Sequence, residues 1–254
     1  MSEVSSLFGG PAPAGSAIGL YAKASPDFEA KLAETVALLQ AAAQEHPGKV
    51  VQATSLGVED MIVTDLIARH GIDIAIGTLE TGALHPETVA LIGTIEQHYA
   101  AQGVKVEVYK PAQEAVIEFV QKNGEKAMYE SIDLRKACCG VRKLEPLARM
   151  LNGRTAWITG LRREQSNNRG GMLERELDDK GRAKFNPMIE WTWGDVWHYV
   201  KTFNVPYNPL HDQFMPSIGC APCTRAIAVG EDFRAGRWWW EDEKAKECGL
   251  HVHK

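Results

Sequence analysis

The 254-residue chain predicts an α/β protein: a doubly wound, mainly parallel sheet followed by a loop-rich C-terminal segment. Three observations carry that prediction. Short apolar runs alternate with runs of helical apolar spacing from about residue 26 to residue 160. Turn residues separate the two kinds of run. Past about Gly170 the alternation gives way to proline, tryptophan and charge.

Ser25-Pro26 offers an N-cap and a first-turn proline, and Phe28, Leu32, Val36, Leu38 and Leu39 continue a helix toward His46-Pro47-Gly48. "KVVQAT" reads as a buried strand, "SLGVED" as the turn after it, and "DMIVTDLIARHG" as a helix closed by Gly71. "IDIAIGTL", "ETGALHPE" and "ETVALIGTIEQHYAAQG" repeat the order of strand, loop and helix. "VKVEVYK" is a third strand and "EAVIEFVQKNG" a further amphipathic helix. A helix is expected to begin near the adjacent cysteines and run through "GVRKLEPLARMLN", with Pro146 close to its first turn. "TAWITG" is then a fourth strand. Such alternation puts ligands at the carboxyl ends of the strands. Within "FNPMIEWTWGDVWHYVKTF" one aromatic helix is expected from about Thr192. The expected organisation is a flexible leader over 1–24, one α/β domain over 25–240 and a mobile tail over 241–254.

Lys+Arg 28 against Asp+Glu 33 leaves a net charge of -5, so no global basic field recruits nucleic acid and any anion site must be local. No run approaches the roughly 20 apolar residues of a membrane-spanning helix, and the N-terminus lacks a signal-peptide pattern. A cytoplasmic protein is expected; a homo-oligomer is compatible with this composition. In a reducing compartment, 5 cysteines argue for metal or catalytic use and against a disulfide framework.

Four of those cysteines fall in two groups. Cys138 and Cys139 are neighbours in "RKACCGVRK", and Cys220 and Cys223 bracket a tight turn in "CAPC". Four thiolates suit zinc or a 4Fe-4S cluster, while buried unliganded thiols are the plain alternative. Neighbouring cysteines reach a single ion poorly, whereas a cubane offers separate irons, which favours the cluster. Cys248, in "ECGLH", is either a spare exposed thiol or a nucleophile that must stay accessible.

"LRREQSNNR", "RKACCGVRK" and "FRAGR" concentrate positive charge. A solvated face is the common fate of such runs, but convergence on one site would bind a phosphate-like anion. "SLGVED" lies at the first strand-helix turn, a natural anion position, yet its acidic residues compete with phosphate for the helix dipole. It suits a ribose, a base or one phosphate better than a pyrophosphate. The tryptophans are assigned to packing.

"SLGVED", "TGALHPET", "CCGVRKLEPL", "WITGLRREQS", "FNPMIEWTWGDVW", "PYNPLHDQ", "GCAPCTR", "GEDFRAGRWWW" and "ECGLH" span nearly everything after the leader. With them the sequence resembles the assimilatory adenylyl-sulfate reductases of the phosphoadenosine phosphosulfate reductase family. The resemblance implies an adenine nucleotide α-hydrolase-like fold and thioredoxin-dependent reduction of adenosine 5'-phosphosulfate to sulfite and AMP. It implies that Cys138, Cys139, Cys220 and Cys223 hold a 4Fe-4S cluster and that Cys248 is the nucleophile. Lys143 would lie between cluster and substrate, and Arg234 and Arg237 would contact the phosphosulfate. Ser55, Gly57 and Glu59, with Gly160 and Arg163, would surround the adenosine.

Two departures stand out. The family often has Asp-Thr-Gly where this chain has Glu80-Thr81-Gly82, which alters the reach of that carboxylate. The related ATP pyrophosphatases carry SGGxDS, whereas Leu56 and Asp60 here replace a glycine and the terminal serine, which counts against ATP use. The rival readings are the same chemistry on 3'-phosphoadenosine 5'-phosphosulfate, an ATP-consuming sulfur transferase, and a non-catalytic redox sensor.

Overall fold

The computed structural model describes residues 15–165 and 171–242. Six strands form one sheet in the order β3-β2-β1-β4-β6-β5. They are β1 (Val50–Thr54), β2 (Ala75–Leu79), β3 (Val106–Tyr109), β4 (Ala156–Ile158), β5 (Arg175–Leu177) and β6 (Ala183–Phe185). All pair in parallel except β5, which runs antiparallel to β6 at one edge. The chain winds outward from β1 to β3 and then returns to the other side of β1 with β4. The direction of winding therefore reverses between β1 and β4, and the loops that follow these two strands part to leave a crevice. Ser55 follows β1 on one lip and Gly160 follows β4 on the other.

The helices are α1 (Ala17–Tyr21), α2 (Phe28–Glu45), α3 (Val58–His70), α4 (Pro86–His98), α5 (Gln113–Asn123), α6 (Ile132–Cys139), α7 (Glu145–Met150) and α8 (Trp193–Phe203). Successive strand residues face opposite sides of the sheet, so both faces must be covered. Val50, Ile76, Ala156 and Ile158 join the main core with α2, α3, α4 and α8. Val51 and Trp157 face the other way, against Met150 and Leu151 at the end of α7. Among the described residues no helix is long and apolar enough to cross a membrane.

Three local features differ from the expectations. α6 begins at Ile132 rather than at the cysteine pair, because the Ser131 hydroxyl accepts the Leu134 N–H at 3.2 Å and caps it. The helix then passes through a π-helical turn, Gly140–Leu144, before α7. Pro146 has no N–H for the regular ladder, and a widened turn just ahead of it absorbs the misfit. The hairpin β5–β6 was expected as loop: each strand has 3 residues, too few for a periodic signal. Its turn is made by Asp178, whose carboxylate accepts the N–H of Lys180 and of Arg182, and by left-handed Gly181. Finally, residues 15–24, expected within the flexible leader, are packed: the Ala17 N–H donates to Asp212 at 2.7 Å and the Lys23 N–H to the Gly194 carbonyl.

The buried Asp65 ties three helices together. Its carboxylate accepts the hydroxyls of Tyr99 at 2.9 Å and Tyr199 at 2.6 Å, and pairs with Arg69 at 3.0 Å. Removing the acceptor strands two buried hydroxyls. Asp65→Ala is expected to lose about 3 kcal/mol or more in urea denaturation, and Tyr199→Phe only about 1 kcal/mol. A loss below about 1 kcal/mol for Asp65→Ala would remove the network from its proposed structural role.

Candidate active site

A cavity of about 220 Å³ fills the crevice between β1 and β4, lined by Ser55, Gly57 and Glu59 from one side and Gly160 from the other. Lys143, Arg234 and Arg237 line its far end. One side chain holds the two lips in register. The buried Asp60 carboxylate accepts the Ser55 N–H at 2.7 Å, the Ser55 hydroxyl at 2.6 Å and the Gly160 N–H at 2.8 Å. Burial pushes the Asp60 carboxyl up to about 6, against the lowering effect of those bonds. Gly160 is required by this contact: a Cβ there would lie 2.5 Å from Asp60 Oδ1 and 2.9 Å from its backbone nitrogen. Glu59 is anchored as well, accepting Arg162 Nε at 3.0 Å and Gln165 Nε2 at 2.8 Å.

A second cavity, of about 420 Å³, is lined by Cys138, Cys139, Cys220 and Cys223, all buried. The first two end α6, Cys220 caps the turn Ala221–Cys223, and Cys223 closes it. A bridge between Leu84 and Cys220, with the Ala221 N–H donating to the Ala83 carbonyl at 2.7 Å, seats that turn on the loop after β2. Among the described residues no three His, Cys, Asp or Glu side chains gather as one metal ion needs. The four thiols surround a volume instead.

Local electrostatics differ among these thiols. Burial pushes Cys138 up and Cys223 up to about 11. At Cys220 burial also opposes ionisation, yet Lys143, the Thr81 hydroxyl at 3.3 Å, Arg237 and Arg142 outweigh it and hold the thiol below its usual value. Arg142 and Lys143 both project from the π-helical turn, and Arg142 donates to the Thr81 carbonyl at 2.7 Å.

Leu84, Lys143 and Trp238 line both cavities and so form the wall between them. Trp238 is 1% exposed and sits in a left-handed backbone conformation, φ 43°. Three guanidinium carbons approach its ring: Arg135 at 4.4 Å, Arg237 at 4.7 Å and Arg234 at 5.8 Å. Arg135 is also clamped by Glu241 through bonds of 2.9 and 2.7 Å, both side chains being buried. Arg237 lies across Gly219, where any Cβ would overlap its guanidinium, and donates to the Thr224 hydroxyl at 2.9 Å.

The family model for the phosphoadenosine phosphosulfate reductase domain matches residues 49–226, which supply most of the lining of both cavities but not Arg234, Arg237 or Trp238. The chain belongs to the phosphoadenosine phosphosulfate reductase family. It is 49% identical over 229 residues to the adenosine 5'-phosphosulfate reductase of Burkholderia cepacia, covering 90% of each chain. With the enzyme of the same name from Allochromatium vinosum it shares 53% over 203 residues, 80% of this chain and 78% of that one. The crystal structure of phosphoadenylyl-sulfate reductase from Candida auris, a phosphate complex, superposes with a TM-score of 0.61 at 25% identity, over 79% of this chain and 98% of that one. The sheet is that of the adenine nucleotide α-hydrolase-like fold to which this reductase family belongs.

Within this reductase site the structure separates some residues that the sequence had grouped. Arg163 does not line the crevice; its guanidinium points away, to Glu190 at 2.5 Å and the Met172 carbonyl at 3.2 Å. Its neighbour Arg162 turns inward to Glu59 instead. Glu80, the departure from Asp-Thr-Gly, reaches back to accept the Gly82 N–H at 2.7 Å and pairs with Lys110. Cys248 lies outside the described residues. Sequence reasoning missed Asp60 as the link between the lips, Trp238 as a dividing wall, and His211. The last is a buried residue of the crevice whose pKa burial lowers to about 4, so its ring is neutral near pH 7. The available signal for Trp238 was an indole directly after the two arginines of "FRAGR".

The crevice geometry gives a contrast between two glycines on its lips. Gly160→Ala forces its methyl into Asp60 and is expected to cost about 1–3 kcal/mol in chemical denaturation. Gly57→Ala meets the Ser55 hydroxyl at 3.3 Å and Glu59 Oε2 at an ordinary contact distance of 3.8 Å, and is expected to cost about 1 kcal/mol or less. Equal costs would mean that Asp60 is not what fixes Gly160.

Proposed function

We propose that the protein reduces adenosine 5'-phosphosulfate to sulfite and AMP in assimilatory sulfate reduction. In this reading thioredoxin is the electron donor and a 4Fe-4S cluster is held by Cys138, Cys139, Cys220 and Cys223. The observation that carries the reading is the shared wall, with an anion cavity rich in Lys143, Arg234 and Arg237 on one side and four buried thiols on the other. Identity near one half to two reductases named for adenosine 5'-phosphosulfate favours that substrate over its 3'-phosphorylated analogue.

The donor set suits a cluster. Cys138 and Cys139 are consecutive on a helix and so diverge by about 100°, which serves separate irons better than one tetrahedral ion. When bound, such a cluster supplies a fixed, polarisable charge beside Lys143; the electrons of the reaction come from thiols.

In the first step the Cys248 thiolate forms a bond to the sulfonyl sulfur while the sulfur–oxygen bond to the phosphate breaks. AMP leaves with that electron pair, and a Cys248 S-sulfonate remains. A thioredoxin thiolate then attacks Cys248 Sγ, and sulfite departs with the bonding pair. The second thioredoxin thiol resolves the mixed disulfide, so thioredoxin supplies both electrons and Cys248 returns as thiolate. Lys143, Arg234 and Arg237 neutralise the phosphosulfate as the thiolate approaches and stabilise the charge that develops on the leaving phosphate. Ser55, Gly57, Glu59 and Gly160 surround the nucleoside. The body, with 15–24 packed on it, runs as far as the clamped Glu241, and the chain beyond delivers the thiol. A cytoplasmic setting keeps that thiol reduced.

Incubation with sulfur-labelled adenosine 5'-phosphosulfate and no reductant tests the route. The expected outcome is label trapped on Cys248, released as sulfite by reduced thioredoxin. Cys248→Ser is expected to keep iron and acid-labile sulfide but lose both label and turnover. Turnover by that variant, or a colourless protein with stoichiometric zinc, would overturn the mechanism or the cofactor respectively. Lys143→Ala is expected to lower turnover at least about tenfold. Its iron content separates a role toward substrate from one in holding the cluster.

A further inference from the structure

Next to the cysteine cavity a group of aromatic rings reaches the surface. Tyr129 lines that cavity, yet it and Trp239 are each 39% exposed. Ile132, three positions after Tyr129 at the start of α6, is 40% exposed. Trp240 joins the two rings: its centroid lies 4.5 Å from that of Tyr129 and 4.8 Å from that of Trp239. Tyr129 and Trp239 are themselves 6.2 Å apart. The group is held still from below. The Tyr129 hydroxyl donates to the Pro222 carbonyl at 2.5 Å, and Trp240 packs against the cluster of Met128, Cys138, Cys220, Cys223 and Trp238. Trp238 and the Glu241 side chain, buried on either side of Trp239 and Trp240, fix the backbone between them. Rigid aromatic rings left in water lose little conformational freedom when a partner covers them, and Trp and Tyr are enriched among the residues that dominate binding energy.

We infer that Tyr129, Ile132 and Trp239 form the surface on which thioredoxin docks to collect the sulfonate from Cys248. The inference rests on the thioredoxin route proposed above and adds the place of contact. Reach selects this occupant. Trp239 lies two positions before the clamped Glu241, and Cys248 lies seven beyond it. Seven residues span about 25 Å at most, so a protein that attacks Cys248 Sγ has to sit on the surface around Glu241. The side of the wall matters as well. Lys143 and Trp238 separate the crevice from the cysteine cavity, and Tyr129 lines only the latter. A partner seated on this surface meets the thiol once the tail has left the crevice, and it need not approach the nucleotide. Two rings and one aliphatic side chain make a small contact, as a donor that departs at each turnover requires: redox encounters bury less than about 1,200 Å². A stable dimer with a second copy of this chain needs a larger apolar face than these three residues provide.

The test separates docking from chemistry by changing the reductant. The full chain, as wild type, Trp239→Ala and Ile132→Ser, is loaded with sulfur-labelled adenosine 5'-phosphosulfate, and release of labelled sulfite is followed with reduced thioredoxin and with dithiothreitol. Trp239→Ala is expected to need at least about tenfold more thioredoxin for half-maximal release, and Ile132→Ser at least about threefold more. Release by dithiothreitol and the rate of labelling are expected to stay within about twofold of the wild type. In the wild type, a mixed disulfide between Cys248 and a thioredoxin lacking its second cysteine is expected to protect Tyr129 and Trp239 from oxidative footprinting. A thioredoxin requirement raised less than about threefold in Trp239→Ala would overturn the inference. So would an equal loss with dithiothreitol, which would place Trp239 in the chemistry, or a changed oligomeric state with an unchanged thioredoxin requirement, which would assign the surface to a second copy. Unprotected rings in the mixed disulfide would overturn it even where neither variant folds. A wild type that takes no label, or releases no sulfite to thioredoxin, would instead overturn the proposed route, which distinguishes the two failures.

Discussion

Two cavities share one thin wall, and that wall is built from cations stacked on a buried indole. Removing a guanidinium from water costs several kcal/mol, and a cation–π contact returns only about 0.5–2 kcal/mol. Stacking on Trp238 therefore orients Arg135, Arg234 and Arg237 without fully stabilising them. Arg135 completes its balance with the Glu241 carboxylate. Arg237 has a neutral hydroxyl partner in Thr224, which leaves its charge available to an anion in the crevice that it lines. Arg234 and Arg237 line the crevice and Arg135 the cysteine cavity, so the two cavities meet at one indole.

Backbone irregularities make this wall possible. Lys143 and Arg142 reach it because the helix after the cysteines opens into a π-helical turn ahead of Pro146. Arg237 lies flat because Gly219 has no side chain beneath it. Trp238 accepts a left-handed conformation, at a cost of about 1–2 kcal/mol, and gains full burial. Strain of this kind persists where surrounding contacts over-determine it. The regular part of the fold contributes the crevice itself, through the reversal of winding between β1 and β4.

The elements legible in the sequence are those with a periodic signal long enough to read. β1 through β4, α2 through α5 and α8 follow their apolar spacing, and the Thr192 cap of α8 stands where the sequence suggests it. β5 and β6 escaped because three residues carry no period, and because Lys184 on β6 is buried by its pair with Glu176 and its place over the Trp157 ring. The early start of α6 hid in a polar stretch whose signal was a single serine. At the site, the family resemblance carried by the motifs pointed to Ser55, Gly57, Glu59, Lys143, Gly160, Arg234 and Arg237, which line one cavity. Arg163 and Arg162 could not be told apart, since adjacent residues in a loop differ only in direction, and direction is set by tertiary packing. Asp60 looked like an ordinary helix-start acid because its partner, Gly160, is 100 residues away.

The Arg135–Glu241 clamp fixes a point on the chain just ahead of Cys248. That thiol lies seven positions beyond Glu241, so covalent geometry confines it to a sphere of about 25 Å radius around the clamp. Within such a volume a tethered group has an effective concentration in the millimolar range, set by tether length and independent of how dilute the protein is. A reaction of Cys248 at the cavity wall, as proposed above, would therefore be first order in the protein, whereas its meeting with any separate partner would be second order. Dilution slows the second encounter and leaves the first untouched.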